Sequence, residues 1–293
     1  MLKVLMTGAS GYIANQLLPT FRERYELSLL DVTDTNRNRD IIDGVQITNL
    51  IDHDRSQYAS HFECIDAVVH LGYKRRSGDP LDHYLDEKQN VDMAYNVLRT
   101  AHEAGVPRVV IASSNHAADW YEHHLIHTHK LESLDPYTLP LSDNFYGWAK
   151  ATYEHLGFMF ANGTDGMGDS MAHQKTGETT SGLGVVMVRI GAPRELQLNA
   201  YEDPASYKRD LGAYISQRDL VQLFTKAIET PNIDNEHGIP WQVVYGISNN
   251  TRAFWSLSNA RTALDYEPED DSEITFAEDI HKFLIDAPGG RVG

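Results

Sequence analysis

Tyr146 and Lys150 stand four residues apart in Tyr146-Gly147-Trp148-Ala149-Lys150. On a helix, positions i and i+4 share a face, so this spacing sets a phenol beside an ammonium. A neighbouring cation favours the phenolate and lowers a tyrosine pKa from about 10 towards the working pH. That is what a general base for an alcohol proton requires. Taken alone the pair is a weak signal, because any amphipathic helix face can carry it. Its weight comes from a glycine turn far upstream.

Lys3-Val4-Leu5-Met6 reads as a short buried strand, followed at once by Thr7-Gly8-Ala9-Ser10-Gly11-Tyr12-Ile13-Ala14. Ile13, Leu17, Leu18 and Phe21 then recur with helical spacing. Strand, glycine turn, helix is the context of a dinucleotide fingerprint. Gly8 permits the tight turn, and Gly11 lets backbone approach a pyrophosphate at the positive helix end. Ser10, Tyr12 and Ile13 belong to the same cradle, and Ala14 stands where a third glycine often sits. A second strand, Leu27 to Leu30, ends in Asp31, 20 residues after Gly11. An acid there binds the ribose hydroxyls and repels a 2′-phosphate, which favours NAD over NADP. The bland alternative is a solvated aspartate at a strand end, and the nearby Arg37 and Arg39 would suit a phosphate.

The elements that must position these groups alternate along the chain. Strands are expected at Val45–Thr48, Ala67–Gly72, Arg108–Ala112 and Val185–Arg189, with helices over 84–104 and from Tyr146 to Phe160. Such alternation specifies an α/β fold: a Rossmann-type doubly wound parallel sheet, with ligands beyond the carboxyl ends of its strands. Gly8, Asp31, Gly72, Ser114 and Gly191 all fall at those ends. Residues 1–191 are expected to form the dinucleotide-binding domain, with a glycine-, serine- and threonine-rich surface excursion at 162–183. Residues 192–293 are expected to form mainly a small substrate lobe, some segments returning to the sheet. Its pattern is irregular, with helices near 218–230, 258–264 and 276–286.

Composition narrows the function classes. Net charge is −17, from 25 basic and 42 acidic residues in 293, which argues against a nucleic-acid footprint. Acidity of this order suits a salt-tolerant source as well as an ordinary cytosolic enzyme. Cys64 is the single cysteine, so no intrachain disulfide forms and a reducing compartment fits. No signal peptide precedes the first strand and no apolar run has membrane-spanning length, so a cytoplasmic location is expected.

Together these residues resemble the extended short-chain dehydrogenase/reductases, the NAD-dependent epimerase/dehydratase family, over nearly the whole chain. The marks are Thr7 to Ala14, His70-Leu71-Gly72, Asn90, Tyr146 with Lys150, and Leu264-Asp265-Tyr266-Glu267-Pro268. Within that family, Ala112-Ser113-Ser114-Asn115-His116 and Val188-Arg189-Ile190-Gly191 look like uronate dehydrogenases. Those enzymes oxidise C1 of a cyclic hexuronic acid with NAD and release a lactone. The resemblance implies that Ser114 is the catalytic serine, that Asn115 and His116 contact the sugar, and that Arg209 holds its carboxylate. It also places Asn49, Leu50, Leu71, Gly72, Asn90 and Ser113 beside the cofactor, gives Lys150 the nicotinamide ribose, and implies a homodimer through helices 84–104 and 145–160.

Three departures bear on the sugar: Tyr73-Lys74-Arg75-Arg76-Ser77 replaces a small polar segment, the loop from His116 to Tyr146 is long, and the 162–183 excursion is additional. The basic run reads either as a solvated loop or as an anion clamp in which Arg75 touches substrate. Three cations exceed the need of one carboxylate, so a sugar phosphate such as glucose 6-phosphate competes with a hexuronate. A sugar-nucleotide epimerase or dehydratase and a non-catalytic dinucleotide sensor are the other classes. The first usually needs a larger C-terminal lobe; the second commonly lacks the tyrosine or lysine. The histidines of His123 to His129 have metal-like spacing but no matching acidic or cysteine ligands, and the chemistry needs no metal.

Overall fold

Seven strands form one parallel sheet in the computed structural model, which describes residues 1–163 and 182–285. They are β1 (Lys3–Thr7), β2 (Glu26–Asp31), β3 (Val45–Ile47), β4 (Ala67–His70), β5 (Arg108–Ser114), β6 (Gly184–Ile190) and β7 (Trp241–Gly246). The order is β3-β2-β1-β4-β5-β6-β7, so the winding reverses between β1 and β4. A crevice opens at the carboxyl ends there, where ligands of such sheets bind. The principal helices are α1 (Tyr12–Arg24), α2 (His83–Glu103), α3 (Phe145–Ala161), α4 (Pro204–Ala213), α5 (Gln217–Glu229) and α6 (Ser258–Leu264).

Alternation along the strands fills both faces. Val4 and Met6 of β1, with Val186 and Val188 of β6, face the layer of α1 and α5, where Leu17, Phe21, Leu220 and Phe224 are buried. Leu5, Val109, Ile111, Val185 and Met187 point the other way, onto Ala94, Val97 and Leu98 of α2 and Ala149, Tyr153 and Phe160 of α3. Because both faces are covered, the strands read as continuous apolar runs. Gly147, in the first turn of α3, lies so close to the His116 carbonyl that a Cβ there would collide with it. That contact fixes the start of α3, and hence Tyr146, against the end of β5.

The β3 and β4 ladders stop at Ile47 and His70, earlier than the strands expected to Thr48 and Gly72. After β4 the chain turns because Leu71 and Gly72 must pass under Gly8. Two elements escape the sequence reading. β7 is interrupted by Gln242, a polar residue buried because its amide is bonded to the Ile233 carbonyl (3.1 Å) and the Tyr137 hydroxyl (2.6 Å). α4 carried a usable signal: Asp203 caps it by accepting from the Ser206 N–H (2.9 Å), and Pro204 occupies its first turn. In place of one helix over 276–286 stand Ala277–Ile280 and a wide turn His281–Ile285, preceded by a separate helical turn Ser272–Thr275. Phe276 separates Ser272–Thr275 from Ala277–Ile280, at φ −112° and ψ 25°, with its ring packed edge-on against Tyr214 at 5.0 Å.

Beyond residue 191, α5, β7 and α6 pack into the main core, while Leu196, Tyr207, Leu211, Tyr214, Phe276 and Ile280 make a small separate cluster. Most of the 162–183 excursion lies outside the described residues. No helix among the described residues is long and apolar enough to cross a membrane.

Candidate active site

The glycine turn is a backbone cradle. Gly8 adopts φ +70°, and a Cβ on it would lie 2.6 Å from the Gly72 nitrogen and from the Leu71 carbonyl carbon, so only glycine fits. Gly11 donates to the Gly8 carbonyl (3.0 Å) and precedes α1, whose first turn has no side-chain cap. The N–H groups of Tyr12 and Ile13 lie in the first turn of α1, where helix N–H groups have no intrahelical acceptor and can take an anion. Ser10 anchors the turn, with its N–H on Asp31 Oδ2 (2.9 Å) and its hydroxyl on the Thr33 carbonyl (2.6 Å). Asp31 also accepts from the Val32 N–H (2.6 Å), and each carboxylate oxygen retains a lone pair for a ribose hydroxyl. Arg37 stacks over the Tyr12 ring at 4.6 Å. These groups fit a dinucleotide with free ribose hydroxyls.

Other expected cofactor residues have structural partners as well. Asn49 accepts the Ile51 N–H (3.2 Å), and the Leu50 carbonyl accepts from Asn96 (2.9 Å). Asn90, fully buried on α2, clasps the backbone of Lys74 by both its N–H (2.7 Å) and its carbonyl (2.9 Å). The Ser113 hydroxyl donates to Glu154 (2.8 Å).

Ser114, Tyr146 and Lys150 meet at the carboxyl end of β5. The Lys150 ammonium, 4% exposed, donates to the Ala112 carbonyl (2.8 Å) and lies 5.6 Å from the Tyr146 ring centre. Burial pulls its pKa down to about 8, opposed by the charges of Glu87 and Glu154. Tyr146 differs from expectation: its pKa is raised, not lowered. Burial is the largest cause; a hydrogen bond with Ser114 and the charge of Arg76 oppose it, while Glu87 and Asp119 push the same way as burial. The Lys150 ammonium is bonded to the Ala112 carbonyl, and Glu87 and Glu154 are the acids that act on it.

Asp119 accepts a hydrogen bond from His116 Nδ1 (2.8 Å), and the His116 ring meets Tyr146 edge-on at 5.7 Å. Asp119 also accepts from Asn144 (2.8 Å), the residue that caps α3 through the Gly147 N–H (2.9 Å). Asn115 is buried, and its Nδ2 has no hydrogen-bond partner among the described residues, as is true of Nε2 of the buried His70. Burial and then the Lys150 charge hold His70 neutral, its pKa lowered to about 3.

The basic run divides three ways. Lys74 is bound by Asp86 (2.7 Å) and Gln89 (2.6 Å). Arg76 reaches Glu87 (3.5 Å) and stands 5.3 Å from the Tyr146 ring centre. Arg75 is exposed and makes no hydrogen bond or ion pair among the described residues. Arg209 is not open for a carboxylate: it is bidentate with buried Glu122 (2.7 and 3.0 Å), bonded to Asp210 (3.1 Å), and stacked on Trp255 at 5.2 Å. It lines a cleft of about 1180 Å³ between the Glu122–Glu132 segment and α4, beside rather than around Tyr146. The histidine run serves local contacts, with His123 on Asp143 (2.7 Å), His124 stacked on Trp120 and His127 on Glu122 (3.3 Å). The sequence reading missed Tyr73, Glu87 and Asp119 at this site; a buried acid on an amphipathic helix has no local signature.

A family model described as the NAD dependent epimerase/dehydratase family matches residues 4–164. The chain is 30% identical over 281 residues to an NAD-dependent glucose-6-phosphate dehydrogenase of Haloferax volcanii, covering 93% of this chain and 95% of that protein. It is 26% identical over 277 residues to a uronate dehydrogenase of Pseudomonas syringae pv. tomato, covering 93% and 83%. A solved uronate dehydrogenase from Agrobacterium tumefaciens superposes with a TM-score of 0.68 at 24% identity, over 100% of this chain and 92% of that one, which shows the shared fold.

Proposed function

The chain belongs to the NAD-dependent epimerase/dehydratase family, and we propose that its Tyr146 site oxidises the C1 hydroxyl of an anionic aldose to the lactone. It is an NAD-dependent oxidoreductase acting on the CH–OH group of a sugar. The convergence of Tyr146, Ser114 and buried Lys150 beside the Gly8–Gly72 turn carries the reading. In it, Tyr146 takes the C1 hydroxyl proton and Ser114 hydrogen-bonds the same oxygen, holding it in near-attack geometry. NAD, when bound, accepts the C1 hydride. Gly8, Ser10, Gly11, Tyr12 and Ile13 would hold its pyrophosphate, Asp31 the adenosine ribose and Lys150 the nicotinamide ribose. Asn49 and Leu50 would flank the adenine, with Leu71, Gly72, Asn90 and Ser113 along the crevice. Asn115 Nδ2 and His116 would orient the sugar.

For the anion, a phosphate is the first choice. Arg75 is exposed with no partner among the described residues and Arg76 stands over Tyr146, whereas Arg209 is already neutralised by Glu122 and Asp210. The relative from Haloferax volcanii acts on glucose 6-phosphate, which agrees. A hexuronate is the second reading, favoured by the place of Arg209 in the lining of the cleft of about 1180 Å³, where a substrate carboxylate would have to exchange with Glu122. Two copies are proposed to pair through α2 and α3, which expose Tyr84, Tyr95, Trp148 and Met159.

The test is NADH formation with glucose 6-phosphate, glucuronate and galacturonate, using the wild type, Tyr146→Phe, Arg75→Ala and Arg209→Ala. Turnover of the phosphate, lost in Tyr146→Phe and weakened in KM by Arg75→Ala, supports the first choice. Turnover of a uronate that depends on Arg209 supports the second. NAD retained with no NADH from any sugar would point instead to an epimerase or dehydratase.

A further inference from the structure

We propose that Tyr73 and Glu87 form a positioning pair for the general base, with Glu87 fixing the Tyr73 ring and that ring fixing the Tyr146 phenol. The inference rests on the reading of Tyr146 as the base. Glu87 is fully buried on α2, and it accepts from the Tyr73 hydroxyl (2.8 Å) and from Asn90 Nδ2 (3.2 Å), with Arg76 at 3.5 Å. Tyr73 in turn meets Tyr146 edge-on, with ring centres 5.5 Å apart and planes at 84°, and lies 5.6 Å from the Lys150 ammonium. Burying a carboxylate is costly unless it is bonded on several sides. Here three groups bond it, and two of them belong to the loop that touches Tyr146. Asn90 adds rigidity by clasping the backbone of the next residue, Lys74.

Glu87 also acts on Tyr146 by its charge. The groups facing the phenol are Glu87 from α2, Tyr73 and Arg76 from the loop after β4, Ser114 from β5, His116 and Asp119 from the turn behind it, and Lys150 and Tyr153 on its own helix. Among the acids, Glu87 is the stronger in holding the phenol protonated. It therefore has two separable effects, one through geometry and one through charge.

Four variants separate them in the sugar assay: Tyr73→Phe, Glu87→Ala, their double, and Glu87→Gln, which keeps an oxygen to accept from Tyr73. Tyr73→Phe and Glu87→Ala should each lower kcat about tenfold, with KM for NAD within about twofold, as loss of a hydrogen bond to a charged group predicts. The double should be no worse than the poorer single, since both remove one bond. Glu87→Gln should recover most of the loss and move the ascending limb of the kcat–pH profile to lower pH. Wild-type kcat in Tyr73→Phe, multiplying effects in the double, or an unmoved limb in Glu87→Gln would overturn the pair. Should Glu87→Ala fail to fold, Tyr73→Phe against Glu87→Gln decides the same question. Ultraviolet tyrosinate titration, wild type minus Tyr146→Phe, reads the Glu87→Gln shift without a sugar; an unchanged midpoint counts against the pair. Activity retained in Tyr146→Phe would instead overturn the base assignment itself.

Discussion

Lys150 holds a charge where charge is expensive. Its ammonium sits 4.6 Å from the Tyr153 ring centre and 5.6 Å from those of Tyr73 and Tyr146, with one carbonyl bond. Its folded pKa of about 8 lies below the unfolded value of about 10.4, so between those limits the unfolded chain binds more protons. Stability therefore rises with pH across that window, as the cost of the buried cation disappears. Lys150→Met has no such cost. The wild type should gain on the order of 3 kcal/mol relative to Lys150→Met between pH 8 and about 10.4. Thermal melts of both proteins across that range check this; a constant difference would mean that the ammonium is not desolvated.

At the scale of elements, the start of α3 holds the site together. Asn144 caps the helix through the Gly147 N–H and donates to Asp119, which orients His116. Asn144→Ala should cost about 1 kcal/mol from the cap alone, and more because buried Asp119 loses a donor. Urea unfolding measures the first loss, and a fall in kcat/KM larger than the fall in sugar-free NAD binding registers the displaced His116. Further along the same helix face, Glu154 takes two bonds from Arg189 of β6 (2.8 and 2.7 Å) and one from Ser113 of β5. Arg189 also donates to Tyr245 of β7 (2.9 Å). Glu154→Gln leaves a buried cation without its partner and should cost 3–5 kcal/mol or so, read as a lower denaturation midpoint.

For the whole molecule, charge is the dominant fact. A net −17 on 293 residues sets like charges against one another, and salt shortens their reach from about 10 Å at 0.1 M to about 3 Å at 1 M. The melting temperature should rise with potassium chloride over that range. A fall would show that the surface ion pairs, such as Arg24–Glu229 and Arg218–Asp270, outweigh the general repulsion.

What the sequence determined by itself was local or periodic. Strand-turn-helix at Gly8, the i+4 pair of Tyr146 and Lys150, and the apolar strand runs depend on neighbours a few residues away, and they sufficed for the sheet and its reactive edge. Ser114 came from likeness to a family, and its meeting with Tyr146 became visible only in the fold. Tertiary structure decided the rest. β7 was hidden because its polar Gln242 finds partners more than a hundred residues away in Tyr137. Whether a cation is free depends on contacts no spacing reveals: Arg209 is bound by Glu122 across 87 residues, while Arg75 in the middle of a basic run has no partner among the described residues. The direction of the Tyr146 pKa is decided the same way, since the i+4 rule supplies the lysine but only packing brings burial, Glu87 and Asp119 to bear on the phenol.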